Sequence, residues 1–138
     1  MYTHEYEKRV RYGETDQMGY LYYGNYAQYY EIGRVEMIRS LGVSYKQLEE
    51  ELGIMMPVMS MEVRYLRPLF YDNIVTIKTT LKEFPGDEIV FHVELYNEAG
   101  KIANGGKVKL CFVDIQSKKR VPTPEILLEK LRPYFEVS

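Results

Sequence analysis

The chain has 138 residues, of which 46% are hydrophobic and 28% charged, and this composition predicts a single globular domain over residues 1–138. A formal net charge of −2 argues against a nucleic-acid surface, which is usually basic. One cysteine, Cys111, excludes an internal disulfide, and two histidines offer few soft ligands for zinc, so we expect neither a metal nor a cofactor.

The first residues alternate in a pattern typical of a β-strand. Between positions 2 and 12, one alternating set is mostly polar, while the other set contains Tyr2, His4, Tyr6, Lys8 and Val10. The segment lacks the apolar core of a secretory signal peptide, and no run of 18 or more apolar residues follows. The sequence therefore predicts a cytoplasmic protein without a membrane span.

The stretch from Arg11 to Leu41 combines a lone carboxylate, a glycine turn and a helix start. Asp16 ends the strand-like run, and Gly19 permits a tight turn at little steric cost. Six tyrosines follow within eleven positions and indicate an apolar pocket that carries hydroxyl groups: Tyr20, Tyr22, Tyr23, Tyr26, Tyr29 and Tyr30. Spacings of three and four then predict a long helix that ends at Gly42, with a buried stripe of Tyr26, Ala27, Tyr30, Gly33, Met37, Ile38 and Leu41.

The carboxylate and the helix start can act together on a carbonyl group. The first N–H groups of a helix have no intrahelical acceptor and carry partial positive charge, so they stabilise an oxyanion. A carboxylate beside them can serve as nucleophile or general base. The alternative interpretation is that Asp16 only caps a turn, because Asp is among the commonest turn residues.

Beyond Gly42 the pattern predicts one short helix, several strands and a closing helix. Ser44 to Gln47 resembles a capping box for a helix that ends near Gly53. A period of two marks strands over 59–66, 75–81, 89–95 and 102–113, and Gly105-Gly106 in the last of them indicates a bulge or a close backbone approach. Thr123 and Pro124 are expected as the N-cap and first residue of the closing helix. Together these elements predict an α+β domain.

Two segments resemble a known enzyme family. The first, YGETDQMGYLYYGNY over residues 12–26, is followed by Tyr30-Glu31 and Arg34, and the second reads RYLRP over residues 64–68, with Tyr71-Asp72 after it. This order resembles the 4-hydroxybenzoyl-CoA thioesterase-like branch of the hotdog-fold acyl-CoA thioesterases, over nearly the whole chain. The resemblance implies a hotdog fold, in which a curved antiparallel sheet wraps one long central helix, and hydrolysis of an acyl-CoA thioester to a free acid and CoA.

The resemblance also implies roles for individual residues. Asp16 becomes the catalytic carboxylate and the backbone N–H of Tyr23 the oxyanion donor, although many relatives carry His at position 23. Glu31 is a second candidate carboxylate, against the simpler interpretation that it pairs with Arg34 at i, i+3. The substrate-binding positions implied by the motifs are Gly19, Tyr22, Asn25, Tyr26, Glu31, Arg64 and Arg67, the two arginines as contacts to CoA phosphates. The family's sites lie at a subunit boundary, so a homodimer or homotetramer is expected.

Two other functions stay open. A non-catalytic module that binds acyl thioesters can share this fold, and a thioesterase can act on acyl carrier protein instead of CoA. A hydratase or dehydratase is disfavoured, because the motifs of those enzymes carry a His that is missing near Asp16. Short aliphatic, long aliphatic and aromatic acyl groups are all compatible with a tyrosine-rich pocket.

Overall fold

A computed structural model describes residues 1–136, so the last two residues of the predicted domain lie outside the described part of the chain. The helices are α1 (Tyr26–Ser40), α2 (Tyr45–Leu52) and α3 (Glu125–Leu131). The strands are β1 (Tyr2–Arg9), β2 (Ile54–Met55), β3 (Val58–Tyr65), β4 (Ile74–Leu81), β5 (Glu88–Tyr96), β6 (Ile102–Asp114) and β7 (Arg120–Val121). No helix within residues 1–136 combines the length and apolar character needed to cross a bilayer.

The strands form one antiparallel sheet in the order β1-β4-β5-β6, and β6 also pairs with β3 and with the short strands β2 and β7. Helix α1 packs on one face of this sheet against β1, β4 and β5. Alternate residues of β4 and β5 point into that contact and are fully buried: Val75, Ile77, Phe91, Val93 and Leu95. The predicted α+β architecture of one long helix on an antiparallel sheet is confirmed.

The long helix follows its predicted apolar stripe with two exceptions. Tyr26, Tyr30, Gly33, Met37 and Ile38 are buried as expected, and Gly42 ends the helix at φ +87°. The expected burial of Ala27 is wrong, since Ala27 is exposed and Tyr29 is buried instead. Arg34 is also buried, next to Tyr45 of α2, and it makes no ion pair with the exposed Glu31. The predicted i, i+3 pair is therefore not formed.

Two glycines allow close backbone approach in the core. A Cβ added at Gly33 would lie 2.5 Å from Thr79 Oγ1, so this glycine lets α1 sit directly on β4. A Cβ added at Gly106 would overlap the backbone carbonyl oxygen of Glu62 in β3, whereas one at Gly105 would meet atoms no closer than 3.6 Å. The predicted close approach in β6 is confirmed, and it lies at Gly106.

Two local predictions about element ends are wrong, and a third is confirmed. The first strand ends at Arg9 and not near position 12, because the chain turns into a short 3-10 helix over Tyr12–Glu14. Ser44 does cap α2, accepting a hydrogen bond from the Gln47 amide at 3.0 Å. Thr123 does not cap α3: Pro124 is the N-cap residue, and the Thr123 hydroxyl donates to the carbonyl of Gly86 at 2.5 Å.

Candidate functional site

Asp16 lies in a tight hairpin between β1 and α1. Thr15 pairs with Leu21, the Asp16 amide donates to the carbonyl of Tyr20 at 2.9 Å, and Gly19 turns the chain at φ +77°. Asp16 Oδ1 accepts hydrogen bonds from the amides of Met18 at 2.9 Å and Tyr20 at 3.2 Å. Oδ1 therefore caps the turn, while Oδ2 accepts no hydrogen bond from residues 1–136.

The second sequence motif packs directly against this hairpin. The Leu21 amide donates to the carbonyl of Leu69 at 2.6 Å, and the Tyr71 amide donates to the carbonyl of Gly19 at 2.8 Å. Between these two bonds the Tyr20 and Phe70 rings meet edge to face, with centroids 5.1 Å apart. The structure thus brings together two segments that are about fifty residues apart in sequence, in line with a shared role.

The start of the long helix lies on the far arm of the same hairpin. A 3-10 turn over Tyr23–Asn25 runs straight into α1, so the Tyr23 N–H is the first of the helical run and has no intrahelical acceptor. The Tyr23 carbonyl accepts a hydrogen bond from the Tyr65 hydroxyl at 3.2 Å, which ties the turn to the end of β3. Asp16 and this amide are therefore held on one short segment of chain.

Tyrosine rings surround the helix start. Tyr65 meets Tyr26 edge to face at 5.0 Å between centroids, and the Tyr22 and Tyr23 rings lie 4.7 Å apart on the surface. Burial, with a smaller contribution from Tyr65, raises the pKa of Tyr26 to about 12, so its hydroxyl stays protonated at neutral pH. The predicted pocket stays a prediction: Tyr22, Tyr23 and Tyr65 are exposed on the surface beside the buried Tyr26, whereas Tyr29 and Tyr30 are buried in the core.

Sequence reasoning missed one residue of this region, Glu14. Its backbone carbonyl accepts hydrogen bonds from the Tyr22 amide at 2.9 Å and from Asn25 Nδ2 at 2.8 Å. Its carboxylate forms an ion pair with Lys8 at 3.1 Å, in a setting where both side chains are about 15% exposed or less. The sequence signal for this residue is Lys8. Lys8 belongs to the same alternating set of β1 as the half-buried Tyr2 and His4, and a lysine on such a face needs a carboxylate partner.

The other predicted site residues are spread more widely. The side chain of Asn25 donates a hydrogen bond to the Glu14 carbonyl, Gly19 forms the turn, and Glu31 is exposed on α1.

Arg64 lies on the sheet face opposite α1, in an open groove of about 450 Å³ shared with His92 and Lys107. Arg67 donates through Nη1 to the carbonyl of Ile102 at 2.5 Å. Neither arginine forms a hydrogen bond or an ion pair with Asp16 within residues 1–136. Within residues 1–136, no three His, Cys, Asp or Glu side chains are grouped as metal ligands.

Comparisons with known proteins agree with the resemblance at the level of the superfamily. The family model described as the Thioesterase-like superfamily matches residues 10–131. The protein YneP of Bacillus subtilis (strain 168) is 32% identical over 138 residues, covering 96% of this chain and 99% of that protein. The acyl-CoA thioester hydrolase YbgC of Escherichia coli O6:H1 is 30% identical over 122 residues, covering 88% of this chain and 90% of its own length.

One solved structure is similar to this chain in both fold and sequence. The crystal structure of DHNA-CoA thioesterase from Staphylococcus aureus superposes with a TM-score of 0.83 at 33% identity, covering 98% of this chain and 85% of that one. The hotdog arrangement expected from the resemblance is confirmed at this level. The relatives' names do not single out the 4-hydroxybenzoyl-CoA branch, so membership of that branch stays a prediction.

Proposed function

Because this chain belongs to the Thioesterase-like superfamily, we propose that it is an acyl-CoA thioesterase, which hydrolyses an acyl-CoA thioester to a free acid and CoA. Similar proteins are named as an acyl-CoA thioester hydrolase and as a DHNA-CoA thioesterase. The observation that carries the proposal is the Asp16 hairpin, in which one carboxylate oxygen is anchored by two amides beside a helix start.

The arrangement supports two alternative mechanisms, with Asp16 as nucleophile or as general base, and both use the Tyr23 N–H as the oxyanion donor. Asp16 Oδ1 is fixed by the Met18 and Tyr20 amides, so the second oxygen is oriented and available to a substrate or to water. As nucleophile, Oδ2 attacks the thioester carbonyl to give a mixed anhydride and CoA thiolate, and water then hydrolyses the anhydride. As general base, Asp16 takes a proton from the water that attacks the carbonyl. In both routes the negative charge that develops on the carbonyl oxygen is stabilised by the Tyr23 N–H.

The tyrosines at the helix start suit the acyl group. Tyr22 and Tyr23 are 44% and 67% exposed, so their rings are available for contact, while Tyr26 is buried. Phenol rings supply apolar surface together with a hydrogen-bonding group. Surface of this kind is compatible with an aromatic acyl group, as expected for the 4-hydroxybenzoyl-CoA branch, and with aliphatic chains. Contacts of Arg64 and Arg67 to CoA phosphates stay a prediction.

The test of the proposed function is thiol release from a panel of acyl-CoA esters, with short, medium and long aliphatic chains and one hydroxyaromatic ester. We expect saturable turnover of at least one ester. Saturable binding of the esters without thiol release would show that the protein is a non-catalytic binding module and not an enzyme. Turnover of an acyl carrier protein thioester, with no turnover of the matching CoA ester, would show that acyl carrier protein and not CoA carries the substrate.

We further propose that the enzyme works as a dimer in which β3 pairs with the β3 of a second copy. Within residues 1–136, β3 pairs with β6 alone, so its other edge carries unpaired backbone groups. The strand and its continuation are also unusually apolar for an exposed segment, with side chains 42% to 53% exposed: Val58, Met59, Met61, Tyr65 and Leu66. Antiparallel pairing of a strand with its own copy is self-complementary about a twofold axis. A dimer of this kind would place the Tyr65 end of β3 at the subunit boundary.

The dimer prediction is tested by sedimentation equilibrium. We expect wild-type protein at micromolar concentration to show twice the chain mass of 16.3 kDa, and Met61→Lys to show a monomer, because a lysine there would be buried without a partner. Leu52→Lys is the matched control: Leu52 is 47% exposed on α2, outside the β3 surface, and this variant should remain dimeric. A wild-type monomer, or a Met61→Lys dimer of unchanged affinity, would contradict β3 pairing.

A further inference from the structure

The carboxylate of Glu14 is held by donors from three separate parts of the chain. Oε1 accepts hydrogen bonds from the Arg11 amide at 2.8 Å, the Tyr29 hydroxyl at 2.8 Å and Lys8 Nζ at 3.1 Å. Oε2 lies 3.1 Å from Lys8 Nζ. One side chain thereby connects β1, the 3-10 helix before Asp16, and the buried face of α1.

The main chain of the same residue extends these connections to the helix start. The Glu14 carbonyl binds the Tyr22 amide and the Asn25 side chain, which are the residue before Tyr23 and the last residue of the 3-10 turn. Asp16 follows Glu14 by two residues. Both groups assigned to the proposed reaction, the Asp16 carboxylate and the Tyr23 amide, are therefore anchored to Glu14 through short covalent and hydrogen-bonded paths.

The surroundings favour the ionised form of Glu14. Burial by itself raises the pKa of a carboxyl group, but the hydrogen bonds from the Arg11 amide, Tyr29 and Lys8 outweigh it, so the pKa of Glu14 lies below its ordinary value of 4.5. Lys8 also lies 5.0 Å from the centre of the Tyr29 ring, which adds a cation–π contact to the same cluster. Tyr29 is fully buried, so one end of the cluster is fixed by the core.

We propose that Glu14 is the positioning residue of the site. By binding Lys8, Arg11 and Tyr29, which together form the Glu14 clamp, it holds the Asp16 hairpin and the Tyr23 amide in the positions that the reaction requires. Glu14 touches no reacting atom in this role. It acts because the rate of a positioned reaction falls steeply when the reacting groups are displaced, by roughly 100-fold for 1 Å. This inference rests on the proposed function for its kinetic consequence, whereas its structural part is independent of that function.

Glu14→Gln tests the clamp, because it keeps the shape of the side chain and removes the charge that binds Lys8. We expect kcat to fall roughly 10-fold to 100-fold while KM changes less than about threefold, since a positioning defect acts on the transition state more than on ester binding. Tyr29→Phe removes one donor and should give a smaller fall in kcat. The matched control is Glu125→Gln, which breaks an ion pair of 2.7 Å with Arg132 at α3 and should leave both constants unchanged.

A second measurement reads the clamp without any substrate. In Glu14→Gln, hydrogen exchange at the Met18, Tyr20 and Tyr22 amides should be at least about tenfold faster than in wild type, because local opening of the hairpin becomes easier. Exchange in β5 should be unchanged, which shows that the variant is folded.

The outcomes separate the two proposals. If wild type hydrolyses an ester and folded Glu14→Gln keeps the wild-type kcat, the positioning role is overturned and the thioesterase stands. If wild type hydrolyses none of the esters, the thioesterase proposal fails and the exchange rates alone decide: faster exchange upholds the clamp, and unchanged exchange overturns it.

Discussion

Asp16→Asn is expected to lower kcat for thiol release by roughly 10²-fold to 10⁴-fold, the contribution typical of a positioned general base or nucleophilic carboxylate. The substitution removes the charge and the basicity of the side chain. It leaves an amide oxygen that still accepts from the Met18 and Tyr20 amides, so the hairpin should keep its shape. The measurement is steady-state thiol release from the best ester of the panel, with circular dichroism to confirm folding.

Asp72→Asn is the matched control for this prediction. Asp72 belongs to the segment that packs on the hairpin and forms an exposed ion pair with Arg9 at 3.2 Å. It lies at φ +70°, a left-handed conformation that Asn also tolerates, so the exchange should be structurally silent and change kcat less than about twofold. A folded Asp16→Asn enzyme with wild-type kcat would refute the assignment. If Glu31→Gln alone abolished turnover, the catalytic carboxylate would be Glu31.

Gly106→Ala should destabilise the fold by roughly 3 kcal/mol, at the upper end of what overpacking usually costs. The added methyl group would overlap the carbonyl oxygen of Glu62 and lie 3.0 Å from the Tyr30 hydroxyl. Because the first of these contacts is with backbone, β3 would have to move away from β6. The Tyr30 hydroxyl, which donates to the buried Asn104, would be displaced as well. Urea unfolding at equilibrium measures the free energy of unfolding of both proteins.

The neighbouring glycine provides the control for Gly106→Ala. A Cβ at Gly105 would meet only the Ile102 side chain at 3.6 Å and the Val93 carbonyl oxygen at 3.7 Å, which are ordinary contacts. Gly105→Ala should therefore leave the free energy of unfolding within about 1 kcal/mol of wild type, with a tendency to increase it, because alanine restricts the unfolded chain. Equal losses at both positions would show that the loss comes from the strand as a whole and not from the approach of β3.

Local patterns in the sequence were sufficient for the three helices and the longer strands, whereas the two-residue strands β2 and β7 were not predicted. The spacing of Tyr26, Gly33 and Met37 predicted α1, and alternation predicted β3 to β6 within one or two residues at each end. These predictions succeeded because burial against one partner imposes a single period on the sequence. The glycine after α1 and Ser44 before α2 also act through neighbours in the chain, so they could be recognised without knowledge of the fold.

The predictions that failed depend on contacts between distant residues. Thr123 has the side chain of an N-cap, but its hydroxyl finds the Gly86 carbonyl, 37 residues away, and leaves the cap to Pro124. Arg34 interrupts the apolar pattern of α1 and is nevertheless buried beside Tyr45. Neither partner can be read from the local sequence.

Only the part of the candidate site that lies within one segment of the chain could be predicted from the sequence. Asp16, Gly19 and the helix start lie within one short segment and could be proposed from it. The donors that hold Glu14 come from Lys8, Arg11 and Tyr29, and only the fold shows that these three converge. The position of Arg64 on the outer face of the sheet likewise depends on its register with β6, where it lies opposite Gly105.

If the proposed β3 dimer forms, Tyr65 couples the assembly of the two subunits to the proposed reaction. Its ring stands at the exposed end of β3, and its hydroxyl holds the carbonyl of Tyr23. If a second copy orders β3, it also orders the turn that carries the proposed oxyanion donor, the Tyr23 N–H. Dimerisation and ester binding would then be thermodynamically linked. Linkage is reciprocal: an ester that binds the dimer more tightly than the monomer must strengthen the dimer by the same factor. Specific activity would then fall on dilution below the dimer dissociation constant, and saturating ester would shift that fall to lower enzyme concentration.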